Sequence, residues 1–327
     1  MAQPNHDLTA RGPGCAGDVL GTYLRAQATA FLRALRLHEE WGSPRTESGG
    51  GAVAAEGSDA ARSLRGAARR ISGSLSTFRV VTESSWADGL RTELVWLSST
   101  LADEHAYAAR LSRLLDALHR LSGSPEVPAP RGAAGALTVG SARAGALLER
   151  QLTLARTRAH SATLQALGSS RFHAVADAVA VLASEVPLDP VAARGRVEDV
   201  LVPLAEVART RLAAAVSALP PAAEAHPYNP DHDGSWHEVR RLLRVHRYAR
   251  EALGEDVARL VVAGEALDRH RDAAEAAAAS ATAARTPRIA PATAYALGVL
   301  HADQRHEVEA ARFMFRDVWH PAPATAP

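Results

Sequence analysis

No lysine occurs anywhere in the 327 residues, so all 37 basic side chains are arginine. That absence excludes Schiff-base chemistry, and it gives every cation a planar fork suited to two-point phosphate contacts. Codon bias toward arginine is reason enough for the replacement, so it marks a capacity and not a ligand. Only one cysteine is present, Cys15, which allows neither an internal disulfide nor a cysteine zinc site and points to a reducing compartment. Aromatic residues make up 5 % and β-branched residues are comparatively few, so strand formers are scarce. No uninterrupted apolar run reaches the roughly 18 residues needed to span a membrane. Residues 1–14 are polar, with Pro4 and Pro13, and lack the apolar stretch of a secretory signal. These absences predict a cytoplasmic protein. The net charge is +1, so overall charge cannot recruit a polymer, and any electrostatic partner must meet a local patch.

What is abundant is alanine, the best helix former, which supplies much of the 47 % hydrophobic content. Helical spacing of apolar residues predicts a first helix over residues 18–40, through Leu20, Leu24, Ala28, Phe31 and Leu35. Residues 42–58 read as a flexible loop and residues 59–81 as a second helix capped by Ser58 or Asp59. Ser84 or Ser85 would cap a third helix over 86–101, with a fourth over 104–121. Residues 127–140 have linker chemistry. Further helices are expected over 141–167, 170–184, 192–219 (broken or kinked at Pro203), 236–253, 255–283 and 291–319. The proline-rich stretch 220–234 reads as an irregular loop. The alanine-rich stretch 272–284 reads as a frayed or surface helix end. No segment alternates with period two. The expected architecture is therefore all-α bundles, with disordered ends at 1–14 and 321–327.

Two segments share one division of faces. On a helical wheel, Arg62, Arg65 and Arg69 take the places of His237, Arg240 and Arg244. Leu64, Ala67, Ala68 and Ile71 correspond likewise to Val239, Leu242, Leu243 and His246. Arg70, Arg241, Arg247 and Tyr248 complete the polar faces. No acidic residue falls between Ala60 and Thr82, and only Glu238 falls between Trp236 and Arg250. Like charges stacked at i, i+3, i+4 and i+7 repel by about 0.2–0.5 kcal/mol per pair, and a solvated face normally mixes signs. A repeat-related pair of such stripes predicts two pseudo-symmetric bundles turning both stripes toward one central basic groove, with an external polyanion as partner.

At these residues the chain resembles the CHAD family, the conserved-histidine α-helical domain. Arg62–Ser72 (RSLRGAARRIS), followed by Leu75 and Phe78, is similar to the first family signature. His237 through Tyr248 is similar to the second, and WADGLRTELVWL, LGSSRF, LDRHRD and ALGVLHA add weaker matches in order. The resemblance covers about residues 18–320 and implies one CHAD domain over 15–320. Its N-terminal half is expected near 15–124, connecting helices at 141–190 and the C-terminal half at 192–320. It also implies binding of inorganic polyphosphate and association with polyphosphate granules. Arg65, Arg69, Arg70, His237, Arg240, Arg241, Arg244, Arg247 and Tyr248 match the signatures, and His270 matches a later family histidine. The chain departs where the first signature's histidine is Arg62, its last arginine is Ser72, and a middle basic position of the second is Val245. These departures predict weaker or asymmetric binding, carried more by the C-terminal half.

Other chemistries are less well supported. The 14 histidines include no i,i+4 pair beside a carboxylate of the kind a helical zinc enzyme uses, so no metal or cofactor is expected. His301 with Arg305 one turn on reads as a further part of the basic surface, and Gly298 as a close-packing position. Phosphate-loop and nucleophile-elbow motifs are absent. Trp86, Trp96, Trp236 and Trp319 sit at apolar helical spacing, which weighs against base-stacking nucleic-acid recognition. The candidate polyphosphate-binding set is thus Arg62, Arg65, Arg69, Arg70, His237, Arg240, Arg241, Arg244, Arg247, Tyr248, His270, His301 and Arg305, with no catalytic residue. A helical protein-interaction scaffold with a decayed groove, and a metal-dependent phosphohydrolase, are the competing readings.

Overall fold

Alanine and leucine at helical spacing, with few strand formers, give an all-α chain: nine α-helices among the described residues, and no strand. The structure is a computed structural model describing residues 14–42, 50–123, 133–221 and 230–320. The expected disordered ends, and residues 43–49, 124–132 and 222–229 of the expected loops, lie outside these. In chain order the helices are α1 (Ala16–Gly42), α2 (Gly50–Thr77), α3 (Ser84–Gly123), α4 (Ala133–Leu167) and α5 (Ser170–Ser184), then α6 (Val197–Ser217), α7 (Asp233–Ala252), α8 (Ala258–Ala284) and α9 (Pro291–Trp319). Short 3-10 turns occupy Arg79–Val81, Ala192–Arg194 and Pro230–His232.

Several expected boundaries move. Helix α2 begins at Gly50, inside the stretch read as a loop, and α4 begins at Ala133, inside the stretch read as a linker. Ala52, Ala54 and Ala55 in the first stretch and Ala133, Ala134 and Ala136 in the second are strong helix formers. The third and fourth expected helices are one continuous helix, because Ala102 and Asp103 offer no terminator. Its cap is neither Ser84 nor Ser85. The Glu83 carboxylate instead accepts the Ser85 and Trp86 backbone N–H groups at 3.1 and 2.7 Å. Pro203 is the seventh residue of α6, which runs unbroken through it, one backbone donor short.

The helices gather into two compact units, each drawn from separated stretches of chain. Unit 1 takes residues 1–98, 170–210 and 248–256; unit 2 takes 99–169, 211–247 and 257–327. In unit 1, α1 packs on α2 and α5. Its core holds Leu20, Leu24, Phe31, Leu64, Ile71, Leu75, Leu94, Phe172 and Val179, all buried. Backbone bonds Ala16 N–H to Gly195 O (2.8 Å) and Asp189 N–H to Val81 O (3.0 Å) tie its connecting turns down.

In unit 2, α8 packs along α9. One cluster joins Leu114 and Leu118 of α3, Leu148 of α4, Ala276 and Ala283 of α8 and Leu297 and Leu300 of α9. A second joins Leu212, Trp236, Val239, Leu243, Leu267 and Phe315. The alanine-rich end of α8 is therefore core and not surface: Ala273, Ala274, Ala276, Ala277 and Ala283 are buried, their small side chains letting α9 approach closely. Gly140 of α4 does the same, since a Cβ there would fall 2.2 Å from the Ala292 carbonyl oxygen. Gly298, expected to serve close packing, faces open space.

Candidate functional site

Helix α2 presents the unit 1 stripe. Leu64, Ala67, Ala68 and Ile71 point into the core, which turns Arg62, Arg65, Arg69 and Arg70 the other way. Arg62 is exposed and pairs with Asp59, three residues before it and just outside the acid-free stretch. Arg65 and Arg69 are half-buried, and Arg69 Nε is buried with no hydrogen-bond partner among the described residues. Arg70 donates from Nε to Glu251 Oε2 at 2.9 Å and lies over the Tyr248 ring, 5.6 Å from its centroid. Tyr23 donates to the same Glu251 oxygen at 3.1 Å. Burial, then the Glu251 charge, push the Tyr23 phenol well above its usual range, so it remains a donor. Tyr248 is 3 % exposed and packs on Gly73, whose missing side chain makes room for the ring. Tyr248, expected on the outward polar face, is thereby corrected to the interior, because α2 closes over its ring.

Helix α7 carries the unit 2 stripe. Val239, Leu243, His246 and Ala249 are buried, while His237 and Arg241 are exposed and Arg240, Arg244 and Arg247 are half-buried. Arg241 binds Glu238 on its own helix, Nε to Oε2 at 2.7 Å. Arg240 is ion-paired with Asp268 of α8, so this stripe does have a carboxylate neighbour on an adjoining helix, contrary to the reading from sequence. Burial lowers the Arg240 guanidinium below its usual value while Asp268 raises it. His237 is held below the ordinary imidazole value by burial, with Arg240 and Arg271 pushing the same way against Asp233 and Glu275. It is therefore neutral near pH 7.

Beneath His237 lies a buried polar cluster that spacing did not reveal. The His270 ring meets His237 edge-on (5.6 Å between centroids) and stacks on Trp236 (5.5 Å). Its Nε2 is 3.6 Å from Asp233 Oδ1, beyond hydrogen-bond reach, and neither ring nitrogen is hydrogen-bonded among the described residues. Burial holds His270 neutral. Asp233, the first residue of α7, accepts Arg305 Nη1 at 2.7 Å and Arg312 Nη2 at 2.7 Å, both from α9. Burial opposes ionisation of Asp233, yet Arg305, by hydrogen bond and by charge, holds it well below the usual carboxylate range.

Two expected surface residues are consequently interior: His270 is 0 % exposed and Arg305 1 %, because each faces the core side of its helix. His301 is half-buried and its Nδ1 lies 3.0 Å from the Ala277 carbonyl oxygen, holding α9 to α8. Arg312 was the residue missed. The signal was its register with Arg305, Val308 and Phe315 on the buried face of α9. Also missed were Arg110 of α3, paired with Glu275, and Arg271 of α8, whose Nε reaches Asp272 Oδ1 at 2.9 Å. Among the described residues no group of three or more His, Cys, Asp or Glu could hold a metal ion, and no helix is long and apolar enough to cross a membrane.

Comparison with known proteins follows the same lines. The model of the CHAD domain matches residues 47–281. Among solved structures, PptA from Streptomyces chartreusis is similar at 60 % identity, over 94 % of this chain and 99 % of that one, with a TM-score of 0.78. The crystal structure of the CHAD domain from the plant Ricinus communis is similar in fold, at 18 % identity, over 97 % and 96 % of the two chains, with a TM-score of 0.62. The search of curated proteins gave no match. On the family match over most of its length and the all-helical fold shared with these neighbours, the chain belongs to the CHAD domain family.

Proposed function

We propose that this chain binds inorganic polyphosphate without breaking a bond, through the outward arginines of α2 and α7. Family membership supports a polyphosphate-related role in general terms. The observation that carries the finer reading is the packing of α7. Val239, Leu243, His246 and Ala249 are locked in the core, so Arg240, Arg244 and Arg247 stand at i, i+4 and i+7 on the opposite side. The contact set is Arg62, Arg65, Arg69 and Arg70 on unit 1, and His237, Arg240, Arg241, Arg244 and Arg247 on unit 2. Tyr248, His270, His301 and Arg305 shape these helices from inside. Guanidinium forks bind phosphate oxygens in pairs, and contact with a dense polyanion releases its condensed counterions. The protein would then act in the cytoplasm, on polyphosphate granules.

The test is calorimetric titration with long-chain polyphosphate at rising salt. Affinity should fall steeply with salt, and Arg240→Ala with Arg244→Ala should weaken it about five- to thirtyfold, at roughly 0.5–1 kcal/mol per charge contact. An unchanged affinity would dismiss the reading. The same double variant on α2, Arg65→Ala with Arg69→Ala, apportions the two stripes. Free phosphate should not accumulate during the titration, with or without added divalent metal.

One observation favours the scaffold reading. Phe313 is 71 % exposed on α9, at the edge of a cavity of about 450 Å³ that Leu219, Pro220 and Phe315 also line. Such an apolar patch suits a protein partner. Indifference to polyphosphate together with loss of a bound protein on Phe313→Ser would favour that alternative.

A further inference from the structure

Three carboxylates on α8 stand at i, i+4 and i+7: Asp268, Asp272 and Glu275. That spacing places them on one side of the helix. Each is ion-paired with an arginine of unit 2. Asp268 holds Arg240 of α7, Asp272 holds Arg271 of α8, and Glu275 holds Arg110 of α3 while lying 3.9 Å from Arg271. Arg271 feels all three charges, which raise its guanidinium above the usual value although burial opposes this. Three acids thus face three bases, and within this patch the charges cancel.

The pairs are consistently asymmetric. The arginine side chains are 17, 29 and 17 % exposed, and their carboxylate partners 54, 48 and 38 %. In every pair the acid is the outer member. An anion arriving from solvent therefore meets carboxylates first and reaches the guanidinium groups only by taking their place. Because the acids are half in water already, releasing them costs little desolvation, so the exchange is reversible.

We propose that Asp268, Asp272 and Glu275 serve as an internal stand-in for the anionic ligand, which makes the unit 2 surface select long phosphate chains over isolated phosphates. This rests on the polyphosphate reading above. A single phosphate must displace tethered carboxylates whose effective concentration is millimolar or more, and it gains one or two contacts in exchange. A chain replaces all three acids at once, and after the first contact every later exchange is intramolecular. Selectivity arises from the repulsive element as much as from the attractive one. The inference adds Arg271 and Arg110 to the residues a bound chain touches.

The experiment uses the full-length chain with Asp268→Asn, Asp272→Asn and Glu275→Gln together. Binding of orthophosphate, tripolyphosphate and long-chain polyphosphate is compared at constant ionic strength. The triple variant should bind tripolyphosphate about tenfold more tightly, equivalent to about 1.4 kcal/mol, and long chains gain less, so discrimination narrows. A control triple variant at exposed acids elsewhere, Glu149→Gln, Asp177→Asn and Asp317→Asn, should change either affinity by no more than about twofold, since distant charges are screened. Equal or weaker tripolyphosphate binding by the α8 variant, or an equal gain in the control, overturns the proposal. Should the triple variant fold poorly, Asp268→Asn alone must still tighten tripolyphosphate binding, and no gain there overturns it. If the unaltered protein ignores long chains, the functional reading falls by itself. The α8 carboxylates are then judged by whether their removal creates binding: a gain upholds them as a blocking anion, and no gain removes the idea.

Discussion

Replacing Asp233 by asparagine removes one negative charge from the interior of unit 2. Asp233 is 8 % exposed, and its oxygens accept Arg305 at 2.7 and 3.2 Å and Arg312 at 2.7 Å, both guanidinium groups being 1 % exposed. Arg312 also donates to Glu309 at 2.6 Å and keeps that bond in the variant. Stripping one partner from a buried ion pair costs about 3–5 kcal/mol, because the surviving charge has no water to receive it. Asparagine preserves one carbonyl acceptor, which places the expected loss near 3 kcal/mol. At ~2 °C per kcal/mol for a large chain, Tm should fall by at least about 6 °C. Denaturant unfolding followed by tryptophan fluorescence reads the change directly, since Trp236 is buried against His270 and Phe315 beside the lost charge. In the Asp233→Asn background, Arg305→Met should cost less than it does alone, with a coupling energy of at least about 1 kcal/mol. A loss below about 1 kcal/mol for Asp233→Asn, or strictly additive effects, would refute the claim that this cluster holds α7 to α9.

Stability should also follow pH. His270 and His237 are held below 6.5, by burial first, with Arg312 repelling the proton at His270 and Arg240 and Arg271 at His237. The unfolded chain then takes up protons that the folded one refuses, so the contribution is complete above pH 6.5 and is lost as pH falls toward the folded values. Tm should decline between about pH 7 and pH 5, His270→Gln should flatten that slope, and a flat profile in the unaltered protein would contradict it. The depressed Asp233 adds a second loss, confined to pH below 3.8. Gly73→Ala would put a methyl carbon 2.7 Å from Tyr248 Cδ2 against a ring with no space to retreat, so thermal melts should report a loss of about 1–3 kcal/mol. Gly298→Ala meets nothing and should be neutral or stabilising by up to about 1 kcal/mol, and the reverse ranking of the two melts would show that this packing is misjudged.

What the sequence determined by itself was whatever depends on near neighbours. Helix type, the inward rows Leu64–Ala68–Ile71 and Val239–Leu243–His246, and the outward rows of arginine follow from a 3.6-residue period and alanine's propensity, both local properties. Family motifs added the resemblance to the CHAD family. The tertiary structure alone decided which charges are spent on one another. Asp233 meets Arg305 and Arg312 across 72 and 79 residues, and Arg110 meets Glu275 across 165. Spacing along one helix carries no information about the helix packed against it. For that reason Arg305 and His270 read as surface, the alanines of α8 read as a loose end, and nothing in the sequence marked Asp268, Asp272 and Glu275 as partners of Arg240, Arg271 and Arg110. A charge acquires its role from what stands within a few ångströms of it, and only packing brings those groups together.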